Sequence, residues 1–265
     1  MKAELKLVLF FIAIALAAAM LVFQPEKETG TEKISIAAWN MQVFGRAKAE
    51  NSTLMEGYAD LIDEYDMVLV QEIRDETGTA FSELCSLLPG YSCFTSSRSG
   101  RTSSKEEYGV IYKSSRIRVV SYQDMNPDPL DRWERPPLAL EIKAGSENSS
   151  AIFIYVLHAK PSDVFSELNH LENLIENASE PTIIIGDLNA DCSYFNREKS
   201  QLFESWNWLI GDEEDTTTGK TDCAYDRIII NSPACPFQSG YGIEKNVTSE
   251  LSDHYIIWVE LKSAE

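Results

Sequence analysis

Eight short apolar runs recur along the chain after residue 32, and their length constrains the fold more than any other feature. They are KISIAAW (33 to 39), MVLVQ (67 to 71), GVIYK (109 to 113), LALEI (138 to 142), AIFIYVLH (151 to 158), TIIIG (182 to 186), RIIIN (227 to 231) and HYIIWVEL (254 to 261). Runs of five to eight residues rich in β-branched and aromatic side chains are strands, too short for helices and bounded by polar turns. Helical periodicity interrupts them at 51 to 65, 78 to 88 and 161 to 178. The last of these carries Phe165, Leu168, Leu171, Leu174 and Ile175 as an expected apolar face, with Ser162 as its expected N-cap. With 44% apolar residues in 265, the chain can bury a full core, and the expectation is one large α/β domain over 33 to 265.

The polar residues at the ends of these runs carry the functional information. Asn40, Glu72, His158 and Asp187 each stand at the C-terminal end of an apolar run, whereas Asp226, Asp253 and His254 stand at the start of one. If the second group runs antiparallel to the first, all seven lie along one edge of the sheet system. Two of the three histidines belong to that set, beside carboxylates, which is the pattern of perturbed, working side chains. The third, His170, falls on the helix of 161 to 178 and reads as a surface or interface residue. Glu72 as a hard oxygen ligand suits Mg²⁺ or Mn²⁺. The stretch DLNADCSYFNRE (187 to 198) matches a helix-loop-helix calcium loop at several positions, but Cys192 stands where the sharp turn needs glycine and a strand precedes it, so that reading fails.

Lys2 and Lys6 precede an unbroken apolar run, Leu7 to Phe23, with Ala17 and Ala19 forming a possible cleavage site. Residues 1 to 23 therefore read as a cleaved signal peptide or a retained signal anchor, and 24 to 32 as a polar tether. Either places the remainder outside the cytosol, with membrane attachment through 7 to 23 in the second case. Of five cysteines at 85, 93, 192, 223 and 235, at least one stays free or pairs between chains. Sequons stand at Asn51, Asn148, Asn177 and Asn246. The net charge of −19, without any Lys/Arg block, argues against a binder that attracts nucleic acid by bulk charge; a polyanionic substrate would need metal ions to offset the repulsion.

Read in order, AAWNMQVFG (37 to 45), VLVQEIRD (68 to 75), SKEEYGVIY (104 to 112), RPP (135 to 137), LHAKPSD (157 to 163), GDLNADCSY (186 to 194), the CAYDR of 223 to 227 and SDHY (252 to 255) resemble the deoxyribonuclease I family of the endonuclease/exonuclease/phosphatase superfamily. The resemblance implies a four-layered α/β sandwich of two mainly antiparallel sheets with helices on the outer faces. It implies an endonuclease acting on DNA, double-stranded, with Mg²⁺ or Mn²⁺ in catalysis and structural Ca²⁺, and no protein partner. Residue by residue, Glu72 would hold the catalytic ion with Asn40 and Asp253 close by. Asp187 and Asn189 would orient water and scissile phosphate. His254 would be the general base, oriented by Asp226, and His158, oriented by Glu106, the acid. Arg135 would bind phosphate, Arg74 would enter a minor groove, and Tyr225 would meet phosphate or DNA. Cys192 and Cys223 would pair, Cys85 and Cys93 having a local pairing open to them. Asp215, Thr217 and Thr221 would form a structural calcium loop, and Asp131 part of a second one beside Asp124. Gln42 and Ser104 replace a basic and an aromatic residue of the family's DNA surface, which implies altered efficiency or sequence preference.

Two other functions compete. One is a phosphodiesterase of the same fold acting on sphingomyelin or inositol phosphates; no aromatic hairpin for lipid is evident. The other is a non-catalytic, calcium-dependent binding module, whose signature would be substitution at the His/carboxylate pairs, which are intact.

Overall fold

The computed structural model describes residues 33–145 and 149–262. The expectations for residues 1 to 23 and 24 to 32 lie outside the described residues. Among those described, no helix is long and apolar enough to cross a membrane.

Among the described residues, twelve strands form two six-stranded sheets. In chain order they are β1 (Lys33–Phe44), β2 (Met67–Ile73), β3 (Tyr91–Thr95), β4 (Glu107–Lys113), β5 (Ile117–Asp124), β6 (Leu138–Ala144), β7 (Ala151–Val156), β8 (Thr182–Asp187), β9 (Asn207–Trp208), β10 (Asp226–Ile230), β11 (Gln238–Glu244) and β12 (Ile256–Lys262). The helices are α1 (Arg46–Ala49), α2 (Ser52–Asp63), α3 (Thr79–Ser86), α4 (Val164–Ile175) and α5 (Arg197–Ser200). The first sheet runs β11-β12-β1-β2-β4-β3 and the second β5-β6-β7-β8-β10-β9. Only β1/β2 and β7/β8 pair in parallel; the other ladders are antiparallel.

Three apolar clusters account for the layering. Ile36, Leu69, Val110, Leu140, Ile154, Ile185, Ile228 and Val259 fill the space between the sheets. Trp39, Val68, Val70 and Ile111 on the outer face of the first sheet pack under Met55, Tyr58 and Ile62 of α2 and Phe81 and Leu84 of α3. On the opposite outer face Ile184 and Ile229 receive Val164, Leu168, Leu171 and Ile175 of α4. β2, β8 and β10 are thus buried on both faces, which is why they read as unbroken apolar runs, whereas β6 and β7 alternate buried with half-buried positions. The expected four-layered sandwich is the fold.

Two details of α4 differ from expectation. Asp163, not Ser162, holds the N-cap position, without a side-chain capping bond. The buried face begins at Val164, leaving Phe165 and Leu174 in solvent at 54% and 42% exposure. The helix starts at 164, and from there the spacing 164, 168, 171, 175 makes the narrower stripe facing the sheet. Asn51 caps α2, accepting from the N–H groups of Thr53 and Leu54. Cys85 pairs with Cys93, tying α3 to edge strand β3, and Cys192 with Cys223; Cys235 is free.

Candidate active site

The C-terminal ends of β1, β2, β7 and β8 and the N-terminal ends of β10 and β12 meet at one rim of the sandwich, because the parallel pairs run opposite to their antiparallel neighbours. Asp226 at the start of β10 stands directly across from Asp187 at the end of β8. The β1/β2 register shifts between Asn40 and Phe44, with Gln42 and Val43 at φ 44° and 54°. Such a bulge re-aims backbone groups, and here the Val43 N–H donates to Glu72 Oε2 at 2.8 Å. Glu72 itself has φ 62° and Asn189 φ 49°, left-handed conformations that side chains keep only where the surroundings impose them.

Asp187 is the hub. Its Oδ2 accepts from Asn40 Nδ2 at 3.0 Å and lies 3.4 Å from His158 Nε2 and 3.7 Å from His254 Nε2. Each ring is backed by its own carboxylate: His158 Nδ1 is 2.5 Å from Glu106 Oε1, and His254 Nδ1 is 2.7 Å from Asp226 Oδ2. Asn189 closes an Asx turn onto Asp187 Oδ1 and donates Nδ2 to the Ala159 carbonyl at 3.0 Å. Asn40 also bridges to Glu72 Oε1 at 3.3 Å, its own Oδ1 accepting from the Gln42 N–H. Asp253 sits at the rim with its side chain half exposed, 3.8 Å from His254 Nε2. All six expected catalytic residues, and Glu72 and Asn40, therefore share one cluster.

Charge sets the state of this cluster. Burial alone would raise the Glu106 carboxyl, but His158, Arg135 and Arg74 overcome it and hold it down at about 2. Burial alone would lower His254, yet Asp226 first and Asp187 next push it up to about 10. Glu106 Oε2 is buried without a hydrogen-bond partner. Ligating atoms of Glu72, Glu106 and His158 lie within 4.8 Å of one another, as do those of Asp187, Asp226 and His254. A buried carboxylate oxygen with no hydrogen bond, met only by Arg74 Nη2 at 3.5 Å, in a carboxylate and imidazole donor set fits a divalent cation such as Mg²⁺ or Mn²⁺.

Arg135 is clamped by the carbonyls of His158 and Ala159 at 2.9 and 3.1 Å and by Glu106 Oε1 at 3.1 Å. Arg74 turns inward onto Glu72 and Glu106 and is held by Ser104 Oγ. Tyr225 lies against Tyr194, ring centroids 5.3 Å apart, beside the Cys192–Cys223 bridge that fastens the Asp187 loop. Asp191, for which the sequence suggested no chemistry, secures the same loop by accepting from the Ala224 N–H at 2.8 Å.

In the loop of 215 to 221, Thr217 Oγ1 bridges Asp215 Oδ1 and the Thr221 carbonyl at 2.9 and 2.5 Å, so three oxygens converge. Asp131 is ion-paired with Arg101 at 2.8 Å, and Asp124 Oδ2 accepts from the Ser97 N–H. These two carboxylates of the expected second calcium loop already have partners of their own.

Three supporting residues escape a sequence reading. Glu167 of α4, fully buried, accepts from the N–H groups of Glu134 and Lys160 at 2.7 and 3.0 Å, pinning the segments that carry Arg135 and His158. Lys48 donates to the carbonyls of Met41 and Leu251 at 2.8 and 2.7 Å; burial lowers its ammonium to about 8 against the pull of Asp253 and Glu72. Ser252 Oγ donates to the Asn40 carbonyl at 2.5 Å and accepts from the His254 N–H at 3.0 Å. Together the last two clamp the His254 turn to β1.

The Endonuclease/Exonuclease/phosphatase family model matches residues 37–254. Deoxyribonuclease-1 of Sus scrofa is 32% identical over 262 residues, 87% of this chain and 92% of that protein. The Homo sapiens deoxyribonuclease-1 is 32% identical over 264 residues, 88% and 94% of the two chains. Among solved structures, a humanized D. rerio TDP2 superposes with TM-score 0.65 at 16% identity, covering 87% of this chain and 99% of its own. An endonuclease/exonuclease/phosphatase of Bacteroides vulgatus does so with TM-score 0.65 at 16% identity, covering 88% and 100%. The structural likenesses speak for the fold and the sequence matches for descent: the chain belongs to the deoxyribonuclease I family within the endonuclease/exonuclease/phosphatase superfamily.

Proposed function

We propose that the protein is a metal-dependent endonuclease that hydrolyses duplex DNA outside the cytosol with low sequence specificity, leaving 5′-phosphate ends. One observation carries the reading: two histidines, each backed by a buried carboxylate, direct their Nε2 atoms at the same Asp187 oxygen from 3.4 and 3.7 Å. Hydrolysis of a phosphodiester needs a deprotonated water in line and a proton for the departing oxygen, and two imidazoles converging on one point supply both. In this reading His254 Nε2 takes the proton of the attacking water, Asp226 holding its ring and stabilising the imidazolium. The water oxygen bonds to phosphorus as the bond to O3′ breaks, and His158 Nε2 delivers its proton to O3′. Asp187 and Asn189 align water and phosphate, and Arg135 supplies fixed positive charge. A divalent cation held by Glu72, with Glu106 behind it, would offset charge on the non-bridging oxygens and, by offsetting Asp187 and Asp253, relieve part of the upward push on His254. Asp215, Thr217 and Thr221 would hold a structural Ca²⁺. The N-terminal apolar run and the paired cysteines support a location outside the cytosol, by secretion or by anchoring through residues 7 to 23.

The test is incubation with supercoiled plasmid. With Mg²⁺ and Ca²⁺ the expected result is nicked and then linear DNA whose ends ligate without prior phosphorylation; with chelator, no change. Intact plasmid under every condition, together with release of phosphate from an inositol phosphate or phosphocholine from sphingomyelin, would overturn the reading.

A further inference from the structure

Arg74 follows Glu72 by two residues and has turned back over it. Nη2 lies 3.0 Å from Glu72 Oε2 and 3.5 Å from Glu106 Oε2, while Nη1 donates to Ser104 Oγ at 2.5 Å. The seat is incomplete. Arg74 Nε is buried without a partner, and Glu106 Oε2 is the oxygen that no hydrogen bond satisfies. The side chain keeps 28% of its surface in solvent, next to the exposed Val43 on the rim.

We infer that Arg74 is an internal competitor of the divalent cation for Glu72 and Glu106, and that substrate phosphate exchanges it away from them. The inference rests on the metal reading above. Two carboxylates are claimed by one guanidinium, and a dication bonded to the same oxygens would stand a few ångströms from a fixed positive charge, which is unfavourable wherever water is partly excluded. The guanidinium has an alternative partner in the phosphodiester, which matches its planar fork better than the stretched contact to Glu106 does. Metal and substrate are then coupled through one side chain: each frees Arg74 from the position that opposes the other, so each tightens the other by the same factor. Glu106 keeps its contacts to His158 and Arg135 throughout, so the exchange leaves the His158 pair in place.

Binding of Mn²⁺, followed by its electron paramagnetic resonance signal, separates the possibilities without measuring turnover. Native protein, Arg74→Gln, Arg74→Lys and Glu72→Gln are titrated with Mn²⁺, alone and with a short duplex carrying phosphorothioate linkages. Arg74→Gln is expected to bind the Glu72-dependent Mn²⁺ on the order of fivefold more tightly than native protein without DNA, and to lose most of the tightening that DNA brings. Arg74→Lys, which keeps the charge but not the fork, is expected to bind Mn²⁺ closer to native affinity than Arg74→Gln does. Loss of the site in Glu72→Gln with equal Mn²⁺ affinity in native and Arg74→Gln overturns the competition while leaving the metal reading intact. Equal binding in native and Glu72→Gln overturns both.

Discussion

Alanine at position 254 is expected to slow plasmid nicking by roughly 10²- to 10⁴-fold with little change in KM, because a group that moves a proton in the transition state contributes to kcat. Asp226→Asn makes the assignment specific. The Asp226 charge is the largest upward push on His254, so removing it lowers the imidazole from its value of about 10. If the rate rises with pH as His254 loses its proton, the rising limb moves toward acid in Asp226→Asn by at least about one pH unit. The plateau falls as well, since an amide no longer holds the ring in the required tautomer. Stability has the opposite slope. His254 has a raised folded value, so its contribution is complete below its ordinary value near 6.5 and drains away as pH climbs toward 10. Native Tm should therefore decline over that interval, and the decline should flatten in His254→Ala. A native rate in His254→Ala, or a limb unmoved in Asp226→Asn, would assign the proton to another group.

The strands that the sequence reveals and those that it hides differ in position. All eight apolar runs lie in the interior of a sheet, with a hydrogen-bonded strand on either side. The four strands without an apolar run, β3, β5, β9 and β11, are the four sheet edges. Apart from Ile117 their residues are half-buried or exposed, so little hydrophobic requirement writes a pattern into them. The site follows a related rule. Asn40, Glu72, His158, Asp187, Asp226 and His254 are legible because each interrupts an apolar run at its end. Glu106 is harder, since Glu107 stands beside it and strand alternation decides which one faces His158; the resemblance supplied the choice. Lys48, Glu167 and Ser252 are illegible because they act on backbone groups of distant segments, and a carbonyl or N–H leaves no trace in residue identity. For Arg74 the resemblance implies a DNA contact, but only the fold brings it against Glu72 and Glu106.

Gly186→Ala should be the most damaging single-methyl change at the rim, costing roughly 3 to 5 kcal/mol of stability. Gly186 sits at φ 139°, a conformation that L side chains rarely adopt, and a Cβ there would fall 2.4 Å from the Leu157 carbonyl and 2.2 Å from Gln71 Nε2. The Gln71 amide belongs to a side chain, but it is fully buried and has no room to yield. The Leu157 carbonyl is backbone and can retreat only by moving the segment that continues β7. That segment leads into His158, and it is held to β8 by the Leu157 N–H on the Ile185 carbonyl and the Ala159 N–H on the Asp187 carbonyl. Relief of the clash therefore separates His158 from Asp187, whose 3.4 Å approach is part of the site. The protein that does fold should lose kcat as well as stability, measured by urea midpoint and plasmid nicking. Gly219→Ala is the control: nothing lies within 4 Å of its Cβ, and the expected change is within about 0.5 kcal/mol. A native urea midpoint in Gly186→Ala would mean that the β7–β8 ends are not locked together, and that the spacing of His158 from Asp187 is set elsewhere.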